Sequence, residues 1–166
     1  TQTIFLEEPE AMVVQLNGLD ALCFGTDDGS ATVVSVLNAT GAITYLWDPN
    51  AGSQITQTAI GLSAGIYSVE VTDLLGCKGA AVIEIDQPAP LQVDFAVSPN
   101  DCYGFQEGAV SVTPDGGIEP YQYNWSTGAG ANAIDQLPAG LYYLTLTDAN
   151  GCFREDSVEV SQPGPI

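Results

Sequence analysis

One block of sequence occurs twice in this chain, and it constrains the fold more than any other feature, because a repeat period decides how many domains a chain can form. The first copy, at residues 62–77, reads LSAGIYSVEVTDLLGC, and the second, at residues 137–152, reads LPAGLYYLTLTDANGC. Positions outside the block also correspond: Cys23 with Cys102, Gly29 with Gly108, Trp47 with Trp125, and Gln87 with Gln162. The sequence therefore predicts two similar units that follow each other along the chain.

The ends of the sequence resemble its interior, which predicts a piece of a longer tandem array. Residues 10–88 are predicted as the first repeat and residues 89–163 as the second. Residues 1–9 resemble the last strand of a repeat, and residues 164–166 resemble the start of one. The prolines of the QPAP motif at residues 87–90 fix φ and disfavour helix, so we expect a short, stiff, extended linker between units.

Two cysteines in each repeat, at matching positions, predict disulfides. A domain of this size has a small core and usually needs such covalent support. Pairing within each repeat, Cys23 with Cys77 and Cys102 with Cys152, is preferred because each unit then closes itself. A Cys77–Cys102 bridge across the junction remains an alternative, since four cysteines allow three pairings. Disulfides predict an oxidising compartment outside the cytoplasm.

Several classes of chemistry lack the residues that they need. The chain has no histidine and no Cys-x-x-Cys motif, which argues against zinc and against Ser-His or Cys-His nucleophiles. A lysine base would have to be Lys78, beside a predicted disulfide. The 21 acidic residues always offer carboxylate pairs, but no spacing selects a pair for glycoside cleavage. We therefore expect no catalytic residues, no metal ligands among the cysteines, and no enzyme.

The charge balance is strongly acidic. Lys78 and Arg154 are the only basic residues against 21 acidic ones, which gives a formal net charge of −19. Such a chain is repelled by nucleic acid and by anionic lipid headgroups, so neither is expected as a partner. No apolar run is long enough to span a membrane and no basic-then-apolar leader is visible, so we expect neither membrane insertion nor an export signal within this sequence.

Alternating apolar and polar residues with β-branched and aromatic enrichment recur about every ten residues. The strands predicted in repeat 1 are 11–16, 31–37, 43–47, 54–59, 66–72 and 80–85. Those predicted in repeat 2 are 91–97, 108–113, 121–126, 132–136, 141–147 and 155–161. This pattern, with one tryptophan per repeat, predicts an all-β fold of two tandem immunoglobulin-like antiparallel β-sandwich domains, each stapled by one disulfide. The cysteines lie in predicted loops, so each bridge is expected to tie sandwich ends.

The alternation also predicts which side chains are buried. One face of a strand in each repeat is expected in the core: Tyr67, Val69 and Val71 in repeat 1, and Tyr142, Leu144 and Leu146 in repeat 2. Tyr121, Tyr123 and Trp125 share a strand face, which is a core pattern. The alternative is a stacking platform for sugar rings that includes Tyr143, which is expected to be exposed.

Oxygen-bearing side chains cluster in the predicted loops: Asp27 and Asp28, Asp48 and Asn50, Asp73, Asn100 and Asp101, and Asp148 and Asn150. Two interpretations stay open. These groups could bind calcium, as loops of extracellular β-domain arrays do, although no recognised ligand spacing is present. Alternatively, Asp73 and Asp148 begin type I turns and accept backbone N–H bonds. No other cofactor is expected.

Several short motifs in the two repeats together match the pattern of a known family. Cys-x-Gly-x-x-acid-Gly stands at residues 23–29 and 102–108, and GGIEPYQYNWS stands at residues 116–126. Leu-x-Ala-Gly-x-Tyr, Thr-Asp-x-x-Gly-Cys and Gln-Pro follow in both repeats. The combination closely resembles the SprB repeat of cell-surface proteins from gliding and related Bacteroidetes, over nearly the whole chain. Repeat 1 departs from the pattern at residues 41–48, which lack Gly-Gly and Pro-Tyr, so a differently built loop is expected there.

The resemblance implies stalk or spacer repeats of a long filamentous surface adhesin used in gliding motility and attachment. It implies an extracellular, cell-surface location through an outer-membrane-associated parent protein. The implied partners are adjacent repeats, external surfaces or polysaccharide reached through the parent adhesin, and the type 9 secretion and gliding machinery. The alternative is an adhesive module that itself holds polysaccharide or another surface, with calcium as a candidate ligand.

Overall fold

The computed structural model describes residues 10–165 and divides them into two compact units. Unit 1 consists of residues 10–21 and Gly25–Gln87, and unit 2 consists of Leu22–Phe24 and residues 88–165. Strands are the only long regular elements in this part of the chain, so the predicted all-β fold is confirmed. The strand predicted within residues 1–9 lies outside the described residues, as does Ile166.

Each unit contains two three-stranded sheets with the same strand order. The strands of unit 1 are β1 (Val13–Leu19), β2 (Gly29–Leu37), β3 (Thr44–Trp47), β4 (Thr58–Leu62), β5 (Gly65–Thr72) and β6 (Lys78–Ile85). The strands of unit 2 are β7 (Gln92–Ser98), β8 (Gly108–Asp115), β9 (Gln122–Trp125), β10 (Ala133–Leu137), β11 (Gly140–Thr147) and β12 (Phe153–Val160). The orders are β1-β2-β4 with β3-β5-β6, and β7-β8-β10 with β9-β11-β12. All the pairings are antiparallel.

This strand order is that of an immunoglobulin-like sandwich. If the six strands of a unit are lettered A, B, C, E, F and G, the sheets are A-B-E and C-F-G, which is the constant-type immunoglobulin arrangement without strand D. The predicted immunoglobulin-like β-sandwich class is thus confirmed for both units.

The core of each unit forms as the alternation predicts. Trp47 and Trp125 are 1% and 2% exposed. The predicted faces of β5 and β11 are buried along their whole length: Tyr67, Val69, Val71, Tyr142, Leu144 and Leu146. Because side chains point to opposite faces of a strand in turn, the residues between them are half-buried or exposed.

A second immunoglobulin feature lies at the start of β5 and of β11. The Tyr67 hydroxyl donates a hydrogen bond of 2.9 Å to the Ser63 carbonyl, four residues earlier, and the Tyr142 hydroxyl donates one of 2.8 Å to the Pro138 carbonyl. This geometry is the tyrosine corner of immunoglobulin-like domains. The Leu-x-Ala-Gly-x-Tyr motif therefore encodes a corner that closes the connection into β5 and β11.

Two segments mark the opposite ends of each sandwich, and we name them by their sequence. The CxG loops are residues 20–28 and 99–107, which precede β2 and β8, and the DxxGC turns are residues 73–77 and 148–152, which precede β6 and β12. In unit 1 the CxG loop contacts Gln87, two residues after β6 ends, whereas the DxxGC turn lies just before β6 begins. An eight-residue strand spans about 26 Å, so the two segments are far apart within one unit.

The chain enters each unit at its DxxGC end and leaves at its CxG end. In unit 1, the Asn38 side chain donates to the Ala11 carbonyl at the start of the unit, and the same β2–β3 connection contacts the DxxGC turn. In unit 2, the Gly117 N–H donates to the Ala89 carbonyl, 2.9 Å away, beside the turn of that unit. The chain then leaves past Gln87 and Gln162, which contact the CxG loops.

Candidate functional site

The cysteines form one disulfide in the described structure. Cys23 is bonded to Cys152, with a Cα–Cα distance of 5.6 Å. Cys77 and Cys102 are free thiols, and both are exposed. The tip of the first CxG loop, Leu22–Phe24, belongs to unit 2, so this bridge lies within unit 2 although repeat 1 supplies Cys23.

The predicted pairing is therefore wrong in both repeats. Neither the Cys23–Cys77 bridge nor the Cys102–Cys152 bridge forms, and the alternative Cys77–Cys102 bridge is not formed either. The reason is topological, because each predicted pair would join a CxG loop to the DxxGC turn of the same repeat. Those segments lie at opposite ends of a sandwich, and a disulfide requires Cα atoms within about 7 Å.

The CxG loops are fastened in the same way in both units. The side-chain oxygen of Gln87 accepts a hydrogen bond of 2.7 Å from the Gly25 N–H, and Gln162 accepts one of 2.9 Å from the Gly104 N–H. Gly25 and Gly104 have φ values of 75° and 80°, a region that other residues rarely adopt. The Gln-Pro and Cys-x-Gly motifs thus act together to hold a cysteine at the end of each sandwich.

The DxxGC turns are also built alike. In unit 1, one carboxylate oxygen of Asp73 accepts from the N–H groups of Leu75 and Cys77, each at 2.9 Å. The other oxygen accepts from the Thr40 N–H, also at 2.9 Å. The hydrogen bond from Thr40 contributes most to lowering the pKa of Asp73 below its ordinary value, and those from Cys77 and Leu75 add to it against the opposing effect of burial.

Unit 2 repeats this arrangement with a different neighbouring loop. Asp148 accepts from the N–H groups of Asn150 and Cys152 at 2.9 Å and from the Ile118 N–H at 3.0 Å. Repeat 1 lacks the Gly-Gly and Pro-Tyr of the β8–β9 loop, yet its own loop presents one N–H to the aspartate as well. These contacts support the turn interpretation of both aspartates.

Two further candidate calcium ligands are bonded to the backbone of the protein. Burial acts to raise the pKa of Asp48, but the hydrogen bonds that its carboxylate accepts from the N–H groups of Ser68 and Ala51 outweigh burial, so the pKa is lowered. Asn100 is 2% exposed; it donates to the Leu137 carbonyl and accepts from the Glu107 N–H. Within residues 10–165, no three or more His, Cys, Asp or Glu side chains are grouped so that they could hold a metal ion.

The aromatic set is divided between core and surface. Trp125 is buried and donates from Nε1 to the Ala131 carbonyl at 3.0 Å, and Tyr121 and Tyr123 are half-buried against the same core. Burial raises the pKa of Tyr123, and the charge of Glu119 adds to the effect. Tyr143 is 58% exposed, as predicted.

An open hollow of about 530 Å³ lies beside Tyr143. Residues of β12 line it together with this tyrosine: Glu155, Asp156 and Ser157. An exposed aromatic ring therefore adjoins carboxylates at this place, as the adhesive alternative requires.

Both basic residues are used in surface ion pairs. Lys78 contacts Glu70 at 2.6 Å, and Arg154 contacts Asp156 at 3.2 Å. The surface therefore keeps the strongly acidic balance that the sequence predicts. Among residues 10–165 there is no helix with the length and apolar character to cross a membrane.

The family model of the SprB repeat matches this chain at two places, residues 20–52 and 95–130. The predicted resemblance to the SprB repeat is confirmed. Each matched segment includes a CxG loop and the buried tryptophan of its unit. The SprB match supports a repeat module of a cell-surface adhesin as the coarse function. A comparison with curated proteins gives no match.

Three solved structures match this chain at low sequence identity. The C-terminal fragment of intimin, in complex with the intimin-binding domain of its translocated receptor, shares 11% identity over 92% of this chain and 64% of the fragment, with a TM-score of 0.47. The DIP-gamma IG1+IG2 structure shares 10% identity over 95% of this chain and 100% of its own, with a TM-score of 0.45. The amphioxus IgVJ-C2 molecule shares 11% identity over 89% of this chain and 97% of its own, with a TM-score of 0.36.

Proposed function

We propose that this chain supplies stalk repeats of a long filamentous bacterial adhesin used in surface attachment and gliding motility. The parent protein would be exported by the type 9 secretion system and held at the outer membrane, so that the repeats are extracellular. Its repeats would contact adjacent repeats of the same array, and the parent adhesin would contact external surfaces or polysaccharide elsewhere.

One observation carries this proposal: the side chains that define the repeat serve the fold in both units. The tryptophans fill the cores, the tyrosines close the corners, the aspartates fix the DxxGC turns, and the glutamines fasten the CxG loops. These matching positions build a module and its two ends.

The proposed mechanism is mechanical extension. Each unit adds length, and the proline-containing linker limits bending at the joint. A net charge of −19 on 166 residues makes neighbouring filaments repel each other and keeps the secreted chain soluble. Repeat arrays of this kind gain length and stability unit by unit.

The adhesive alternative has one observation in its favour, the exposed Tyr143 beside the hollow with Glu155 and Asp156. An aromatic face next to carboxylates can stack on a sugar ring and accept its hydroxyl hydrogen bonds. Repeat 1 has Ser68 at the position that corresponds to Tyr143, so such a site would belong to one unit of the pair.

Binding measurements separate the two functions. We expect the oxidised chain to show no saturable binding to a panel of polysaccharides, to glass or to polystyrene, with or without millimolar calcium. Saturable binding that Tyr143→Ala abolishes would overturn the stalk assignment. Tyr103→Ala is the matched control, because Tyr103 is 55% exposed in a different part of unit 2.

A further inference from the structure

The two free cysteines have bonded counterparts in this same chain. Cys102 corresponds to Cys23, and Cys77 corresponds to Cys152, and the counterparts are joined to each other. We propose that Cys102 and Cys77 are the unpaired members of a disulfide ladder, in which the CxG cysteine of each repeat bonds to the DxxGC cysteine of the repeat that follows. This inference rests on the tandem array of the proposed function.

The direction of the chain through each unit supports this pairing rule. The chain enters a unit beside the DxxGC turn and leaves it beside the CxG loop. The tip of the first CxG loop, Leu22–Phe24, belongs to unit 2. There the Asn150 side chain donates a hydrogen bond of 2.8 Å to the Leu22 carbonyl. A further unit that follows Gln162 through an equally short linker would meet Cys102 in the same manner.

The loop around Cys102 and the turn around Cys77 have the same hydrogen bonds as the segments around the bonded cysteines. Cys102 lies in a loop held by the Gly104–Gln162 hydrogen bond, which repeats the Gly25–Gln87 bond beside Cys23. The Cys77 N–H is bonded to Asp73 at 2.9 Å, the same distance as that from the Cys152 N–H to Asp148. Each free cysteine therefore has beside it the same backbone hydrogen bond as its bonded counterpart.

Exposed apolar side chains surround both free thiols. Tyr103 and Phe105 are 55% and 52% exposed, and with Pro163 they line a hollow of about 430 Å³ beside Cys102. Leu74 and Leu75, on the turn that carries Cys77, are 72% and 71% exposed. The apolar side chains of a CxG loop would be covered by those of a DxxGC turn. The partner at each free cysteine is therefore another repeat of the same kind.

The bond chemistry is an ordinary two-electron oxidation. The thiols of Cys102 and of a following DxxGC cysteine lose two protons and two electrons and form one Sγ–Sγ bond. The disulfide of a thiol–disulfide oxidoreductase accepts both and becomes a dithiol, or glutathione disulfide does so in vitro and becomes two glutathiones. Each joint would then hold two covalent connections, the peptide linker and the bridge.

A fused double chain tests the ladder. Residues 1–162 followed by residues 9–166 give a four-unit protein with eight cysteines. After oxidation with glutathione disulfide, we expect two alkylatable thiols, Cys77 of the first copy and Cys102 of the second. Peptide mapping should find the Cys102 of the first copy bonded to the Cys77 of the second, besides Cys23–Cys152 in each copy.

The control replaces the second copy's Cys77 with serine and should leave three thiols, including the Cys102 of the first copy. Four alkylatable thiols in the fused double chain with both Cys23–Cys152 bridges intact would overturn the ladder and leave the stalk function standing. A Cys102–Cys152 bridge within one repeat would also overturn it. Failure of the stalk function is seen separately, as saturable binding of the chain to a surface.

Discussion

The side-chain oxygen of Gln87 lies 2.7 Å from the backbone nitrogen of Gly25 and accepts its hydrogen bond, which fastens the CxG loop to the end of the sandwich. Gln87→Ala should lower the free energy of unfolding of unit 1 by about 0.5–1.5 kcal/mol, because a single hydrogen bond is lost. Urea unfolding measures the change. Gln106→Ala, at an exposed position of the second CxG loop, should change it far less, and equal effects would contradict the fastening role.

The tyrosine corner offers a prediction with an adjacent control. Tyr142→Phe removes the hydroxyl that donates to the Pro138 carbonyl and keeps the buried ring. We expect a loss of about 1 kcal/mol in the stability of unit 2. Tyr143→Phe, one residue along and 58% exposed, should leave stability unchanged. If Tyr142→Phe leaves the free energy of unfolding of unit 2 unchanged, the corner hydrogen bond does not contribute to folding.

The Asp73 turn predicts a pH dependence. Hydrogen bonds lower the pKa of Asp73 in the folded unit below its ordinary value of 3.8. The stability that ionised Asp73 contributes is therefore complete above pH 3.8 and is lost as the pH falls through the folded-state pKa.

Asp73→Asn should therefore be less stable than the parent chain at neutral pH, because the amide loses the charge and turns a donor towards the Thr40 N–H. Thermal unfolding at a series of pH values should show this difference shrinking below pH 3.8. Asp94→Asn, at an exposed position of β7, controls for the loss of one charge. A difference that persists unchanged in acid would contradict the account.

Both repeats have glycine at the position of Gly108, and we expect a larger side chain there to clash with its neighbours. A Cβ at this residue would lie 2.5 Å from Val160 Cγ1 and 2.8 Å from the Leu137 carbonyl oxygen. Gly108→Ala should destabilise unit 2 by about 1–3 kcal/mol, the usual cost of overpacking. Gly140→Ala meets nothing within 4 Å and should be neutral or slightly stabilising. Equal unfolding midpoints for the two variants would contradict the packing described here.

The strands and the core could be predicted from sequence because alternation and turn residues are local signals. Alternation alone predicts Tyr67 and Tyr142 on the core face, and both are buried. The sequence predicts the fourth strand at residues 54–59, whereas β4 spans Thr58–Leu62. Gln54 is not a strand residue, because its side chain donates to the Ile60 carbonyl and accepts from the Ile60 N–H. Alternation cannot reveal such a side-chain role.

The disulfide pairing could not be derived from matching positions alone, since it depends on which end of the sandwich each cysteine occupies. The immunoglobulin-like strand order puts the connection between strands A and B opposite the turn between strands F and G. In this order Cys23 and Cys77 belong to opposite ends of a sandwich. A pairing that closes each repeat on itself does not satisfy this constraint.

The length of fused chains tests the central claim most directly. Small-angle scattering of oxidised proteins with two, four and six units gives the maximum dimension of each. The stalk account predicts that this dimension rises by the same increment with every added pair, because units extend an array whose joints are stiff. The same scattering curves give the radius of gyration. If it grows only as about the 0.38 power of chain length, as in compact proteins, the stalk account is contradicted.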